Sequence, residues 1–195
     1  MDDLIYMGRN SILNDAFKHS MMQEFEMKDL GLMHYFLGLE VYKDDSQFFI
    51  SQTKYTNDLF HKFDIDDCTA MITPIAHGEH LTRGDRPTKF DMHTYRIIVG
   101  SLMFLTNSHN DIYHVISLVS RYMSAPSKIH LKEEKRILRY VKGTPDFGIH
   151  YLKNKVVKLV GYGDSDWGNS IDDKNSSSRN YFSLGSGLVT WSSRK

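Results

Sequence analysis

The spacing of apolar residues changes along this 195-residue chain, and the change excludes both an all-helical and an all-β fold. In residues 9–26 and again in 94–142, apolar side chains recur every three or four positions, which is typical of helices. From about residue 145 they form short runs that turns separate, which is typical of antiparallel strands. These runs are Gly148–Leu152, Val156–Tyr162, Tyr181–Leu184 and Leu188–Trp191. We therefore predict an α+β fold.

The pattern divides the chain into four regions. Residues 1–66 contain a helix, a β-hairpin over 34–50 and a second helix that Ser51 can cap. Residues 67–93 hold proline and glycine in a weak pattern and are predicted to form a long connecting loop. Residues 94–144 contain three helices, over 94–107, 111–124 and 128–142, and residues 145–195 are predicted to form an antiparallel sheet.

Composition places the chain among ordinary folded proteins. Hydrophobic residues make up 41% and charged residues 25% of the sequence. No apolar run approaches the ~20 residues that cross a bilayer, and the N-terminus lacks the pattern of a secretory signal. The single cysteine, Cys68, excludes an internal disulfide. We expect an intracellular protein with no membrane partner, cytoplasmic or nuclear.

The zero net charge hides an asymmetry between the two ends of the chain. Residues 1–70 carry 6 Lys and Arg against 13 Asp and Glu, whereas residues 71–195 carry 18 against 11. An acidic part can hold a metal, and a basic part can face a polyanion such as nucleic acid.

Two aspartates, Asp2 and Asp3, precede the apolar run Leu4-Ile-Tyr-Met. Neighbouring carboxylates on a turn beside a strand can ligate Mg²⁺ in a two-metal phosphoryl-transfer site. The pair is equally compatible with a solvated N-terminus. Asp164 and Asp166 have a similar ambiguity, because a carboxylate at a strand end can bind a metal while Asp-Ser-Asp is also a good turn sequence.

The helix over 128–142 has the strongest electrostatic pattern. Six cations, three or four residues apart except for the adjacent Lys135 and Arg136, form what we call the basic stripe, while Leu131, Leu138 and Val141 mark the buried side. With only Glu133 and Glu134 against it, the stripe suits contact with a phosphate backbone, although solvated helix faces often look similar. The stripe consists of Lys128, Lys132, Lys135, Arg136, Arg139 and Lys142.

A series of ordered motifs runs through the whole chain. They are Met-Asp-Asp-Leu-Ile-Tyr (1–6), Phe-Glu-Met-Lys-Asp-Leu-Gly-Leu (25–32), Tyr-Phe-Leu-Gly-Leu-Glu-Val (35–41), Ile-Ser-Gln (50–52), Thr-Pro (73–74), Tyr-Arg-x-x-Val-Gly-Ser-Leu (95–102), Ser-Leu-x-Ser-Arg-Tyr-Met (117–123), Lys-Arg-Ile-Leu-Arg-Tyr-Val-Lys-Gly-Thr (135–144), Gly-Tyr-x-Asp-Ser-Asp-Trp (161–167) and Leu-Gly-Ser-Gly (184–187). In this order they closely resemble the pol polyprotein of copia-type LTR retrotransposons.

The resemblance implies a truncated reverse transcriptase palm and thumb with a helical connection, followed by an incomplete ribonuclease H-like sheet. Residues 1–66 would comprise the end of the palm, a primer-grip-like hairpin and a thumb helix. Residues 94–144 would form the thumb and connection helices, and residues 145–195 the first ribonuclease H strands. Asp2 and Asp3 would be polymerase metal ligands, and Asp164 would be the first ribonuclease H ligand. The palm strands before residue 1 and the carboxylates after residue 195 would be supplied by the parent polyprotein.

The resemblance also implies cofactors and partners. The family uses Mg²⁺ or Mn²⁺, and its partner is an RNA–DNA or DNA primer–template duplex. Because this chain carries an incomplete set of carboxylates for either metal site, we expect no tightly bound metal and no catalysis by the chain alone. The alternatives are a domesticated nucleic-acid-binding module without catalysis, and a decayed element with no function.

Two segments depart from the family's pattern. Where the family usually reads Thr-Arg-Pro-Asp, this chain has Ser108-His109-Asn110-Asp111. Where it reads Lys-Ser-Thr-Ser-Gly-Tyr, this chain has residues 175–180, with Arg179 at the glycine position. An arginine there would be strained if its φ angle were positive.

Overall fold

The computed structural model describes residues 4–78, 81–82, 91–153, 156–166, 172 and 174–194. The chain divides into two compact units, Met1–Met33 and His34–Lys195. Asp2 and Asp3 lie outside the described residues.

The N-terminal unit contains one described helix, α1 (Ser11–Glu24), as the apolar spacing predicts. The side chain of Asn10 accepts a hydrogen bond from the backbone N–H of Ile12 and caps the helix start. Lys18 pairs with Asp29 at 2.5 Å. No residue of α1 is buried.

Sheet A of the second unit is antiparallel and contains four strands in chain order, β1 to β4. The predicted hairpin is confirmed, since Val41 of β2 lies opposite Ile50 of β3. At its turn, hydrogen bonds from Ser46 and Gln47 lower the pKa of Asp44 to about 2. The strands are β1 (Tyr35–Phe36), β2 (Leu39–Lys43), β3 (Gln47–Ser51) and β4 (Gly148–Leu152).

The placement of β4 corrects the sequence analysis, which grouped Gly148–Leu152 with the strands that follow it. Instead β4 pairs with β3, so that Ile149 lies opposite Ile50. An apolar run predicts a strand but not its partner, and this strand follows a helix that returns the chain to the hairpin.

Helices form the core of the second unit. The helix over 94–107 is confirmed as α3, with four fully buried side chains on one face, whereas Met103 and Phe104 are partly exposed. The helix predicted over 111–124 is shorter, because a 3₁₀ turn (Asn110–Ile112) precedes α4 and turns follow Ser120. The buried hydroxyl of Tyr95 joins two of the helices by donating to the carbonyl of Val119 at 2.9 Å. The helices are α2 (Thr53–Lys62), α3 (Met92–Leu105), α4 (Tyr113–Ser120) and α5 (Lys128–Lys142).

Sheet B contains three antiparallel strands in the order β5-β6-β7. The side chains of His114 and Ser117 on α4 contact Ser193 of β7, so a helix that precedes the sheet in sequence packs against its last strand. Tyr162 and Tyr181 stack on each other and stay about half exposed. The strands are β5 (Leu159–Ser165), β6 (Ser178–Leu184) and β7 (Gly187–Arg194).

The predicted α+β class is therefore confirmed: the described residues contain two antiparallel sheets and five α-helices. Within the described ranges, no helix is both long and apolar enough to span a lipid bilayer.

Candidate nucleic-acid interface and carboxylate site

Helix α5, which carries the basic stripe, has well-defined ends. The hydroxyl of Ser127 accepts the N–H of His130 at 3.4 Å, and Nδ1 of His130 accepts the N–H of Ser127 at 2.9 Å. This is a reciprocal capping box in which histidine takes the place of the usual Glu or Gln. Gly143 follows the last helical residue. The start and stop predicted from sequence are confirmed.

The basic stripe divides into two halves with different surroundings. In the C-terminal half, each cation donates hydrogen bonds to the backbone of residues 65–76, which we call the connecting segment. Nε of Arg136 donates to the carbonyl of Thr73 at 3.1 Å, and Nε of Arg139 donates to that of Thr69 at 2.7 Å. Nζ of Lys142 reaches the carbonyls of Ile65, Asp66 and Cys68.

The N-terminal half of the stripe faces solvent. Lys128, Lys132 and Lys135 are exposed. Within the described part of the chain, none of the three makes a side-chain hydrogen bond or an ion pair. These three lysines are therefore available to an anionic partner, whereas the other three cations already bind the connecting segment.

The two acids of α5 lie away from the stripe. Glu133 and Glu134 are buried, with 1% and 0% of their surfaces exposed. One carboxylate oxygen of Glu133 accepts the N–H of Ala76 at 3.4 Å. Burial raises the pKa of Glu134 to about 9, so this side chain is neutral at pH 7. The helix surface is more cationic than the sequence count indicates.

Asp164 lies near the end of β5, as the sequence predicts, directly opposite Arg179 of β6. Nη1 of Arg179 is 3.6 Å from Oδ2 of Asp164. The φ angle of Arg179 is not positive, so the strain considered for this position is absent. Oδ1 of Asp166 accepts the N–H of Ser177 at 2.7 Å.

The departure at residues 108–111 forms a polar cluster in which Ser108 and His109 are buried. The hydroxyl of Ser108 donates to Oε1 of Gln52 at 2.9 Å. Nδ1 of His109 is 3.5 Å from Oδ1 of Asp111, whose other oxygen accepts the hydroxyl of Tyr140 at 2.7 Å. Burial raises the pKa of Asp111, but the nearby His109 and the hydrogen bond from Tyr140 outweigh burial and hold the pKa below its ordinary value.

Sequence reasoning missed a polar junction between α4 and sheet B. Nδ1 of His114 is 3.0 Å from Oγ of Ser193, which also accepts the hydroxyl of Ser117 at 3.1 Å. Burial lowers the pKa of His114 to about 4, and the nearby Arg179 and Arg121 add to the effect. No sequence motif marks this histidine, since its partner lies 79 positions away. A cleft of about 260 Å³ adjoins the junction and is lined by Thr106, Tyr113, Ser117, Ser120, Arg121 and Ser193, among others.

Comparisons with known proteins define the class. The family model described as reverse transcriptase (RNA-dependent DNA polymerase) matches residues 1–77. The chain is 33% identical over 195 residues to the retrovirus-related Pol polyprotein from transposon RE2 of Arabidopsis thaliana, covering all of this chain and 13% of that protein. It is 29% identical over 203 residues to the corresponding protein from transposon TNT 1-94 of Nicotiana tabacum, covering all of this chain and 15% of that protein.

A third relative has a length close to that of this chain. An uncharacterized mitochondrial protein of Arabidopsis thaliana is 32% identical over 196 residues, which cover all of this chain and 81% of that protein. No solved structure matches the chain. The family model and these relatives identify a segment of a retrotransposon Pol polyprotein with a reverse transcriptase region. In particular, the chain belongs to the retrovirus-related Pol polyproteins of transposons and corresponds to a segment of these much longer proteins.

Proposed function

We propose that this chain is the duplex-holding part of a retrotransposon reverse transcriptase and binds a primer–template through the exposed half of the basic stripe. In this proposal the hairpin β2–β3 is primer-grip-like, α2 belongs to the thumb, and α3 to α5 form the connection. Sheet B is the beginning of a ribonuclease H-like domain. The membership of the family and the order of these elements support the assignment.

The observation that carries the proposal is the row formed by Lys128, Lys132 and Lys135. Residues four and three apart lie on one face of a helix, about 6 and 4.5 Å apart along its axis. Among the described residues none of these lysines forms an ion pair, and the neighbouring Glu134 is buried and neutral. An unpaired row of ammonium groups gains free energy when it contacts phosphates, because condensed counterions are released.

Catalysis is a separate question from binding. Two-metal chemistry needs a closed set of carboxylates around both ions. Of the residues that the family resemblance assigns to metal, this chain carries Asp2 and Asp3 for the polymerase and Asp164 for ribonuclease H. We propose that Mg²⁺ or Mn²⁺ chemistry requires the remaining Pol polyprotein, and that this chain alone binds duplex without extending it.

Fluorescence anisotropy with a labelled RNA–DNA duplex tests the proposal, in EDTA and from about 50 to 200 mM salt. Reversal of all three lysines (K128E/K132E/K135E) is expected to weaken binding at least about tenfold at low salt. It should also lower the slope of log K against log salt by about 2 to 3 units, since each lost phosphate contact removes about 0.9.

The matched control is K54E/K62E/K158E, which changes the net charge equally at exposed lysines outside α5. If both triple variants weaken binding alike, the stripe is not the interface. If the parent chain does not bind duplex even at about 50 mM salt, the proposal fails and a decayed element is favoured. Primer extension by the parent chain with Mg²⁺ would contradict the separation of binding from catalysis.

A further inference from the structure

We propose that Arg179 is a built-in counter-ion for Asp164, and that its guanidinium group takes the place of a divalent metal at the end of β5. The inference is independent of duplex binding by α5. The family resemblance implies that Asp164 ligates a metal, and this inference reverses that expectation.

The register of the strands fixes the pair. In an antiparallel ladder, directly opposite residues project from the same face with Cβ atoms about 5 Å apart. Asp164 and Arg179 are such a pair, and Nη1 lies 3.6 Å from Oδ2. Two residues along each strand, Tyr162 and Tyr181 are also directly opposite, and their rings stack with centroids 4.9 Å apart. The stacked rings fix the register beside the ion pair.

The neighbouring carboxylate, that of Asp166, also has a hydrogen-bond partner. Oδ1 of Asp166 accepts the backbone N–H of Ser177, while its own N–H donates to the Ser177 carbonyl at 3.1 Å. Ser177 is 4% exposed, and its hydroxyl accepts Nη2 of Arg121 at 3.2 Å. A second arginine therefore lies on the far side of Ser177. Asp166 serves as a backbone acceptor in this arrangement.

These surroundings do not fit a divalent cation. Mg²⁺ requires near-octahedral oxygen ligands, and a fixed positive charge beside one of its carboxylates opposes its entry. Among the described residues, no group of three or more His, Cys, Asp or Glu side chains converges. Glycine, which the family pattern has at position 179, would leave the face of Asp164 open because it has no side chain. Arginine is accommodated there without a positive φ angle.

Mn²⁺ binding to the full chain tests the inference, measured by electron paramagnetic resonance of the free ion. All variants carry D2N/D3N, so that the N-terminal carboxylates do not contribute. We expect D164N to leave Mn²⁺ binding unchanged, because the guanidinium group 3.6 Å from this carboxylate opposes the approach of a cation. We expect R179Q, which removes the charge and keeps most of the side chain, to raise the Mn²⁺ affinity several-fold.

The increase in Mn²⁺ affinity expected for R179Q should be absent in R179Q/D164N, which lacks the carboxylate, and in R179K, which keeps the positive charge. Far-UV circular dichroism checks that each variant folds. Two outcomes would overturn the inference: weaker Mn²⁺ binding in D164N than in its parent, or an unchanged Mn²⁺ affinity in R179Q. Neither depends on nucleic acid, so duplex binding can fail while this inference stands.

Discussion

The guanidinium group of Arg136 binds Thr73 twice, through Nε to the carbonyl at 3.1 Å and through Nη2 to the hydroxyl at 2.8 Å. This contact is one of several along α5. The connecting segment runs antiparallel to the helix, from Lys142 at residues 65–68 to Glu133 at Ala76. The N–H of Met71 also donates to the carbonyl of Arg139, which lies in the last turn and has no partner within the helix. Half of the basic stripe is therefore structural.

We expect R136A to lower the free energy of unfolding by about 1 to 2 kcal/mol, because two hydrogen bonds from a charged donor are lost. The control K132A removes an exposed lysine of the same helix and should stay within about 0.5 kcal/mol of the parent. Urea unfolding followed by circular dichroism measures both. Equal destabilisation by the two variants would show that the contact between α5 and the connecting segment contributes nothing.

Glu134 predicts an unusual pH dependence of stability. Burial raises its pKa to about 9 in the folded state, above the ordinary 4.5. The folded state therefore binds more protons than the unfolded state between these values, and stability falls as pH rises through this window. E134Q removes the titration, so it should exceed the parent's stability by an amount on the order of a few kcal/mol at pH 7 and by more at pH 8.5.

Urea unfolding at pH 5, 7 and 8.5 measures this effect, and D58N supplies the control, since Asp58 is an exposed acid of α2. The stability difference between E134Q and its parent should grow with pH, whereas that for D58N should stay flat. A constant difference for E134Q would mean that Glu134 titrates normally in the folded chain.

The helices and the hairpin could be predicted from sequence because their signals are local. Asn10, Ser127 and Gly143 mark helix ends through their own backbone neighbours, and the turn at Asp44 lies within four residues of its partners. The strand pairing of β4 depends on residues about 100 positions away, and no local pattern carries that information.

The candidate site was less predictable for the same reason. The sequence shows six cations and two acids on α5 but not which of them meet the connecting segment. Burial of Glu134 follows from the packing of α5 in the core, since 3.6-residue periodicity alone places it beside Leu138 on the apolar face. The four-residue spacing between Glu134 and Leu138 therefore indicates that Glu134 is buried, which a count of charges does not show. The pairing of Asp164 with Arg179 required the register of sheet B.

Tyr140 is expected to stabilise the ionised form of Asp111. The nearby His109 and the hydrogen bond from Tyr140 hold the pKa of Asp111 low in the folded state, so this contribution to stability is lost as pH falls through that pKa. Y140F should raise the pKa of Asp111 and cost about 1 to 2 kcal/mol at pH 7. Carbon-detected NMR titration of the carboxyl group and urea unfolding measure the two effects. An unchanged pKa of Asp111 in Y140F would contradict the assignment.

Gly187 lies where sheet B meets β4. A Cβ atom at this position would be 2.3 Å from the ring of Tyr151 and 2.9 Å from the carbonyl of His150. The hydroxyl of Tyr151 donates to the Leu188 carbonyl, and the N–H of Leu152 donates to Oγ of Ser186 at 2.7 Å, so the two strands are held together on both sides of the glycine. The backbone carbonyl cannot move away as a flexible side chain could.

G187A should therefore destabilise the chain by about 1 to 3 kcal/mol through overpacking. The control is G163A on β5, where the nearest atom to an added Cβ is 4.0 Å away. Urea unfolding compares the two variants, and near-ultraviolet circular dichroism checks that the packing of the aromatic side chains is retained. If G187A is no less stable than G163A, the strands can separate without cost, and the glycine of the Leu-Gly-Ser-Gly motif is not required by the contact with Tyr151.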